Sequence, residues 1–190
     1  VPDWLQRSIQ IERWLPAFLQ DTSGYLSATD RIMEQTPYWS HVVALVGALP
    51  LLLNQRRFDA AGSVSRFLDE HRNVPGPFPE RAASALRAVA ELDSALVARH
   101  FVTELPTATP QLRDQLRRCS ALLGPEAVPI LVSALSTNED ETVLSEIVLA
   151  LRHIGEAARE PIVDLLKTTE FSPGLTSSLI KVLGEVPPSE

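Results

Sequence analysis

Histidine and cysteine are the residue types here best suited to chemistry near neutral pH, and their spacing is not that of a reactive site. The histidines are His41, His71, His100 and His153, and the single cysteine is Cys119. No two histidines are spaced as successive ligands on one helix, an arrangement that holds zinc in many proteins. Cys119 lies in an apolar helical pattern and has no base beside it in sequence, which favours a buried thiol over a nucleophile. The sequence therefore predicts no catalytic residue, no metal site and no cofactor.

Composition and charge limit the classes of protein to which this chain is expected to belong. The formal net charge is −7 at pH 7, whereas nucleic-acid binding requires a basic face, so no nucleic-acid partner is expected. With one cysteine there is no internal disulfide, and a reducing cytoplasm is the expected compartment. The longest apolar run, residues 42–53, is shorter than the ~20 residues of a spanning helix, so no membrane insertion is expected. No signal peptide opens the sequence, and its start at Val1 predicts a processed chain or a fragment.

The first 105 residues read as divergent helical hairpins. Apolar residues three and four apart predict a helix over residues 3–20, which Pro16 should kink or interrupt. Further helices are predicted over residues 25–35, 38–55, 58–72, 79–92 and 93–105. Asp93 is the predicted N-cap of the last of these. Trp4 and Trp14 are expected to pack in the core, with docking of a partner as the alternative.

The rest of the chain repeats itself. At an offset of 31, residues 123–127 fall on residues 154–158, and at an offset of 29 residues 153–156 fall on residues 182–185. A period of about 30 without a strand pattern predicts a stack of helix pairs. The predicted pairs are 111–123 with 125–137 and 140–154 with 156–168, followed by a last helix over 174–183. Gly124, Gly155 and Gly184 are expected to end the first helix of each pair in the left-handed conformation.

These phrases resemble HEAT-like repeats of the bacterial, phycobilisome-lyase-like type. The likeness rests on Leu123-Gly124-Pro125-Glu126-Ala127 and Ile154-Gly155-Glu156-Ala157-Ala158, and it covers residues 111–185. It implies an all-α fold, an armadillo-like alpha-alpha superhelix in which antiparallel helix pairs form a HEAT-like solenoid. The implied organisation is a divergent helical region packed on the solenoid over 1–105, repeats over 106–186, and a tail or truncation point over 187–190.

The resemblance also implies a class of function. HEAT-like proteins are mostly non-catalytic protein–protein interaction scaffolds, often modules of larger bacterial signalling or regulatory proteins. Other HEAT-like proteins are chromophore lyases, DNA glycosylases, or di-iron hydroxylases with His-Glu dipeptides; here the histidines precede Val, Arg, Phe and Ile. A chromophore-lyase-like enzyme and a structural or dimerisation spacer remain the alternatives to a scaffold.

Polar residues that interrupt the apolar stripes of the second helices are the predicted contact points. They are Ser133, Arg159, Glu160, Asp164 and Lys167. The expected partner is another protein of unknown identity, with self-association left open.

Overall fold

The computed structural model describes residues 3–74 and 76–185, and for residues 3–10 and 12 it describes the backbone alone. Within these ranges the chain is helical and contains no strand, which confirms the all-α class. The chain divides into two compact units, residues 1–92 and 93–190. The predicted tail over 187–190 and the side chain of Trp4 lie outside the described residues.

Five helices build the first unit. They are α1 (Asp3–Gln20), α2 (Thr22–Asp30), α3 (Gln35–Asn54), α4 (Phe58–Asn73) and α5 (Arg81–Val89). Asp21 caps α2, since its carboxylate accepts a hydrogen bond from the backbone N–H of Gly24 at 2.8 Å. Helix α1 continues through Pro16, so the predicted interruption was wrong.

Helix α3 is the centre of this unit because α1, α4 and α5 all pack on it. Its buried residues recur along the whole helix, from Tyr38 at the start to Leu53 near the end. Helix α3 is also the one helix of the described residues that is long and apolar enough to cross a membrane. Core helices of soluble proteins have the same composition, and the buried residues of α3 pack within the unit.

The second unit contains the repeated sequence. Its elements are α6 (Ser94–Glu104), a 3₁₀ turn (Leu105–Thr107), α7 (Pro110–Ser120), a second 3₁₀ turn (Pro125–Ala127), α8 (Val128–Thr137), α9 (Glu141–Ile154), a third 3₁₀ turn (Gly155–Ala158), α10 (Arg159–Thr168) and α11 (Pro173–Glu185). Asp93 caps α6 as predicted, since it accepts from the backbone N–H of Leu96 at 2.9 Å. Asp140 caps α9 and accepts from two backbone N–H groups, which lowers the pKa of its carboxyl.

In this unit the helices α6 to α9 each pack on the helix two places further along. Helix α6 contacts α8 and α8 contacts α10, while α7 contacts α9 and α9 contacts α11. Between α7 and α9 lies an ion pair in which Arg117 Nε donates to Glu146 Oε2 at 3.0 Å. Glu146 is buried, whereas the guanidinium of Arg117 is about half exposed. The ion pair therefore joins two successive first helices by a charge-assisted hydrogen bond.

The three repeat glycines are not equivalent in conformation. Gly155 follows α9 with φ +67 and ψ −141, so its φ is positive as predicted but its ψ is not that of the left-handed helical conformation. Gly124 is extended and lies four residues beyond the end of α7, while Gly184 lies inside α11, so the prediction was wrong at both. Gly124 has another role, since its N–H donates to Ser94 Oγ at 2.9 Å and an added Cβ would come within 3.3 Å of the same oxygen. A side chain at this position would be a tight fit against α6.

Candidate functional site

The five predicted contact residues all lie on second helices of the repeats, and all are exposed. Ser133 is on α8, and the other four are on α10. Asp164 and Lys167 are brought together, with Lys167 Nζ 3.5 Å from Asp164 Oδ1, a distance typical of a weak surface pair. Ser133 contributes its carbonyl oxygen to its own helix, where it accepts from the hydroxyl of Ser136 at 2.7 Å. The side chains of Arg159 and Glu160 make no ion pair with another described residue.

An open groove of about 430 Å³ runs beside Ser133. Its walls come from α6 and α8, and its lining residues are Val102, Pro129, Ile130, Ser133, Ala134, Thr137 and Asn138. None of these residues is charged, although 22% of the chain is. Such a lining suits apolar and hydroxyl-bearing groups of a ligand. Sequence reasoning missed the groove because it assigned Val102 to a separate N-terminal region.

A second candidate is a buried cluster of titratable groups in the first unit. His71 lies near the end of α4 and is 6% exposed, and Arg81 at the start of α5 is also buried. The Tyr38 hydroxyl donates to His71 Nδ1 at 2.8 Å, and Arg81 Nε donates to the same nitrogen at 3.3 Å. Asp30, the last residue of α2, lies 3.3 Å from His71 Nε2 and accepts a hydrogen bond from Arg81 Nη2 at 2.5 Å. The cluster thereby joins the four helices α2 to α5.

The electrostatics of this cluster keep the imidazole neutral. The pKa of His71 is lowered from 6.5 to about 4, first by burial and then by the adjacent Arg81 guanidinium, while Asp30 acts in the opposite direction. Arg81, which can only donate, lies within hydrogen-bond distance of both ring nitrogens of His71, and a proton on both of them would face this cation. Burial also raises the pKa of the Tyr38 phenol. Both rings therefore stay uncharged at neutral pH, and the charge of the cluster is that of the Arg81–Asp30 pair.

A glycine makes room for this arrangement. At Gly76, in the connection between α4 and α5, an added Cβ would lie 1.9 Å from Cδ of Arg81. The backbone therefore passes directly over the aliphatic part of the arginine side chain. The sequence predicted only that the helices are interrupted at this connection. No pattern in the sequence indicates that Gly76 lies against the side chain of Arg81, so this close approach could not be predicted.

The cluster opens on a groove of about 570 Å³ between α2 and α4. Ser27 and Ser63 line the groove, but their hydroxyls bond to other partners: Ser27 accepts from Arg31 and Ser63 donates to the carbonyl of Asp59. The hydrogen bonds of His71 go to Tyr38, Arg81 and Asp30, and the hydroxyl among these partners is that of Tyr38, a phenol whose pKa is raised by burial. The geometry of this cluster is that of a structural ion network.

Cys119, Trp14 and Trp39 occupy packing positions. Cys119 is buried on α7, and the described residues contain no group of three or more His, Cys, Asp or Glu arranged to hold a metal ion. Trp14 is half buried and stacks on Phe18 at 4.6 Å between ring centres. Trp39 is half buried under the guanidinium of Arg87, 4.3 Å from the ring centre.

The outward row on α8 and α10, with the groove beside Ser133, therefore remains the candidate site. Its side chains are exposed, and few of them are engaged within the unit. The chain was compared with protein-family models, curated proteins and solved structures, and it matches none of them.

Proposed function

We propose that this chain is a non-catalytic scaffold that binds another protein through the second helices of HEAT-like repeats. The binding surface consists of the groove between α6 and α8 and the outward row Ser133, Arg159, Glu160, Asp164 and Lys167. Repeats of this kind bury one face of each helix against neighbouring helices and leave the other face to a ligand.

The packing order of the second unit supports this proposal. Second helices contact second helices (α6 with α8, α8 with α10), and first helices contact first helices (α7 with α9, α9 with α11). A stack in which every element meets its counterpart one repeat away is typical of a solenoid. In a solenoid the exposed sides of the second helices form one continuous surface.

The chemistry of the row is the second support. Two cations, two carboxylates and one hydroxyl lie within two helices, and their only ion pair is the exposed contact between Asp164 and Lys167. Mixed charges around an uncharged groove match the polar rim and apolar centre of protein interfaces. Surface pairs such as Asp164–Lys167 contribute little to folding, so these residues are available to select a partner.

The proposal is tested by affinity capture from an extract of the source cells. The bait is the wild-type chain or the charge-reversed variant Arg159→Glu/Asp164→Arg, which keeps the same net charge. The control variant is Asp114→Arg/Arg118→Asp, which reverses an ion pair of 2.7 Å on α7 and leaves the row intact. We expect the wild type and the control to capture the same proteins and the row variant to lose them.

Equal capture by all three baits would refute the row as the binding surface. Circular dichroism of each bait establishes that the variants keep their helices. Light scattering of the purified chain separates capture of a different protein from self-association.

A further inference from the structure

One end of the groove between α6 and α8 offers hydrogen-bond acceptors to a ligand. The side-chain amide of Asn138 donates to the carbonyl of Ala134 at 2.7 Å, so its Oδ1 remains as an acceptor. The Thr137 hydroxyl has a single proton, which the carbonyls of Ser133 and Ala134 share at 3.2 and 3.3 Å. This end of the groove therefore favours a ligand group that donates hydrogen bonds.

The same end of the groove carries negative charge. Asn138 is followed by Glu139, Asp140 and Glu141, all of them exposed. Asp140 caps α9, and its carboxyl has a lowered pKa chiefly because it accepts from backbone N–H groups, with Arg113 of α7 as a smaller cause. Glu139 and Glu141 form no ion pair with another described residue. A cation placed at this end would therefore meet carboxylates that have no cationic partner in the unit.

Helix α8 also ends here without a cation of its own. The carbonyl groups of its last turn give the C-terminus of a helix a partial negative charge, which a basic side chain in that turn stabilises. Helices α7, α9 and α10 each have a basic residue in the last turn, whereas α8 has none. A ligand can supply the cation that α8 lacks.

The rest of the groove is apolar. Val102 of α6 and Ile130 of α8 face each other across it, and both are half buried, so each keeps apolar area in contact with solvent. Aliphatic groups of a ligand would remove this area from water. A groove that is apolar along its length and negative at one end complements a peptide segment with aliphatic side chains beside a lysine or arginine.

We infer that this groove binds such a basic and aliphatic segment of a partner protein. The aliphatic side chains of the segment lie against Val102 and Ile130. Its cation lies at the end of α8, where it donates to Asn138 Oδ1 and pairs with Glu139. This inference rests on the proposed scaffold function and adds the chemistry of the partner.

The experiment uses two short peptides with blocked termini as probes. They share a run of valine and alanine and differ only in the residue at each end, which is lysine in one peptide and glutamate in the other. Fluorescence anisotropy measures their binding to the wild type, to Glu139→Lys and to the groove variants Ile130→Ser and Val102→Ser. Glu156→Lys is the control, because it makes the same charge change at an exposed position beyond the other end of α9.

We expect the wild type and Glu156→Lys to bind the lysine peptide about fivefold or more tightly than the glutamate peptide. Glu139→Lys should lose or reverse this preference, and the two groove variants should weaken both peptides. The inference is overturned if neither peptide binds, if Glu139→Lys leaves the preference unchanged, or if both groove variants bind as the wild type does.

The scaffold function and the basic segment fail separately. Capture from extract that is lost with Ile130→Ser and kept with Glu139→Lys would sustain the groove as a binding surface and overturn the basic segment. Equal capture by the wild type and the row variant, together with a lysine preference that Glu139→Lys removes, would refute the outward row and sustain the groove with its basic ligand.

Discussion

Acid should destabilise the first unit through His71, and the size of the effect follows from the cluster around it. The folded state holds the imidazole neutral with a pKa of about 4, whereas the unfolded chain has the ordinary value of 6.5. Above pH 6.5 both states are neutral and the full stability is present. As pH falls, the unfolded chain binds a proton that the folded chain does not, so stability falls until pH reaches about 4.

The magnitude follows from the difference between the two pKa values. A pKa lowered from 6.5 to about 4 corresponds to a loss of about 3 kcal/mol of unfolding free energy across this window. The cause is the low exposure of the ring together with Arg81, whose guanidinium would face a second cation. Asp30 offsets part of this repulsion, but its carboxylate is already bonded to Arg81 and is partly exposed.

The assay compares the wild type with His71→Gln, in which the residue can no longer titrate but can still accept a hydrogen bond. Urea unfolding, followed by circular dichroism at pH 7.5, 6.5, 5.5 and 4.5, gives the stability of each protein. The other titrating groups are common to both chains and cancel in the difference between them. That difference should shift by about 3 kcal/mol against the wild type as pH falls. His153→Gln, at an exposed position of α9, is the control. A difference that stays constant from pH 7.5 to 4.5 would refute the reasoning.

Four further substitutions test the second unit by urea unfolding. Leu131→Ala, at a fully buried position of α8, should cost about 2–5 kcal/mol through the cavity it leaves; an unchanged midpoint would contradict this core. Gly155→Ala should destabilise the folded state by about 1 kcal/mol because Gly155 has a positive φ. Gly184→Ala should stabilise it by up to about 1 kcal/mol because Gly184 lies inside a helix. Effects of the same sign would contradict these conformations. Glu146→Ala should cost about 2 kcal/mol, since it leaves the partly exposed Arg117 without its partner; no loss would mean that water replaces the carboxylate.

The helices themselves were largely predictable from the sequence because their signals are local. Apolar spacing and one capping residue placed α4 and α6 within a few residues of their observed ends. The conformation of the repeat glycines was not predictable from the sequence. At Gly124, for example, α7 has already ended, Leu122 and Leu123 are buried in the core, and the glycine lies close to Ser94. The period of the repeat identifies which residues are equivalent, whereas the residues packed around each glycine determine its φ.

The candidate sites also divide into one with a local signal in the sequence and one that depends on packing. The outward row could be predicted because a polar residue in an apolar stripe is visible in the sequence. The network around His71 could not, because Asp30, His71 and Arg81 are far apart in sequence and no period relates them. Their juxtaposition depends on α2, α4 and α5 meeting around α3, which is a property of packing.

Equivalence between repeats is most informative where the burial of the two residues differs. Val128 and Arg159 occupy the same position in successive repeats, yet the valine is fully buried and the arginine is exposed. The residue type thus changes together with its burial, because a guanidinium is costly to bury without water or a counter-charge whereas an aliphatic side chain is not. The period of the sequence identifies the equivalent positions, and the residue type at each position indicates whether that position is buried.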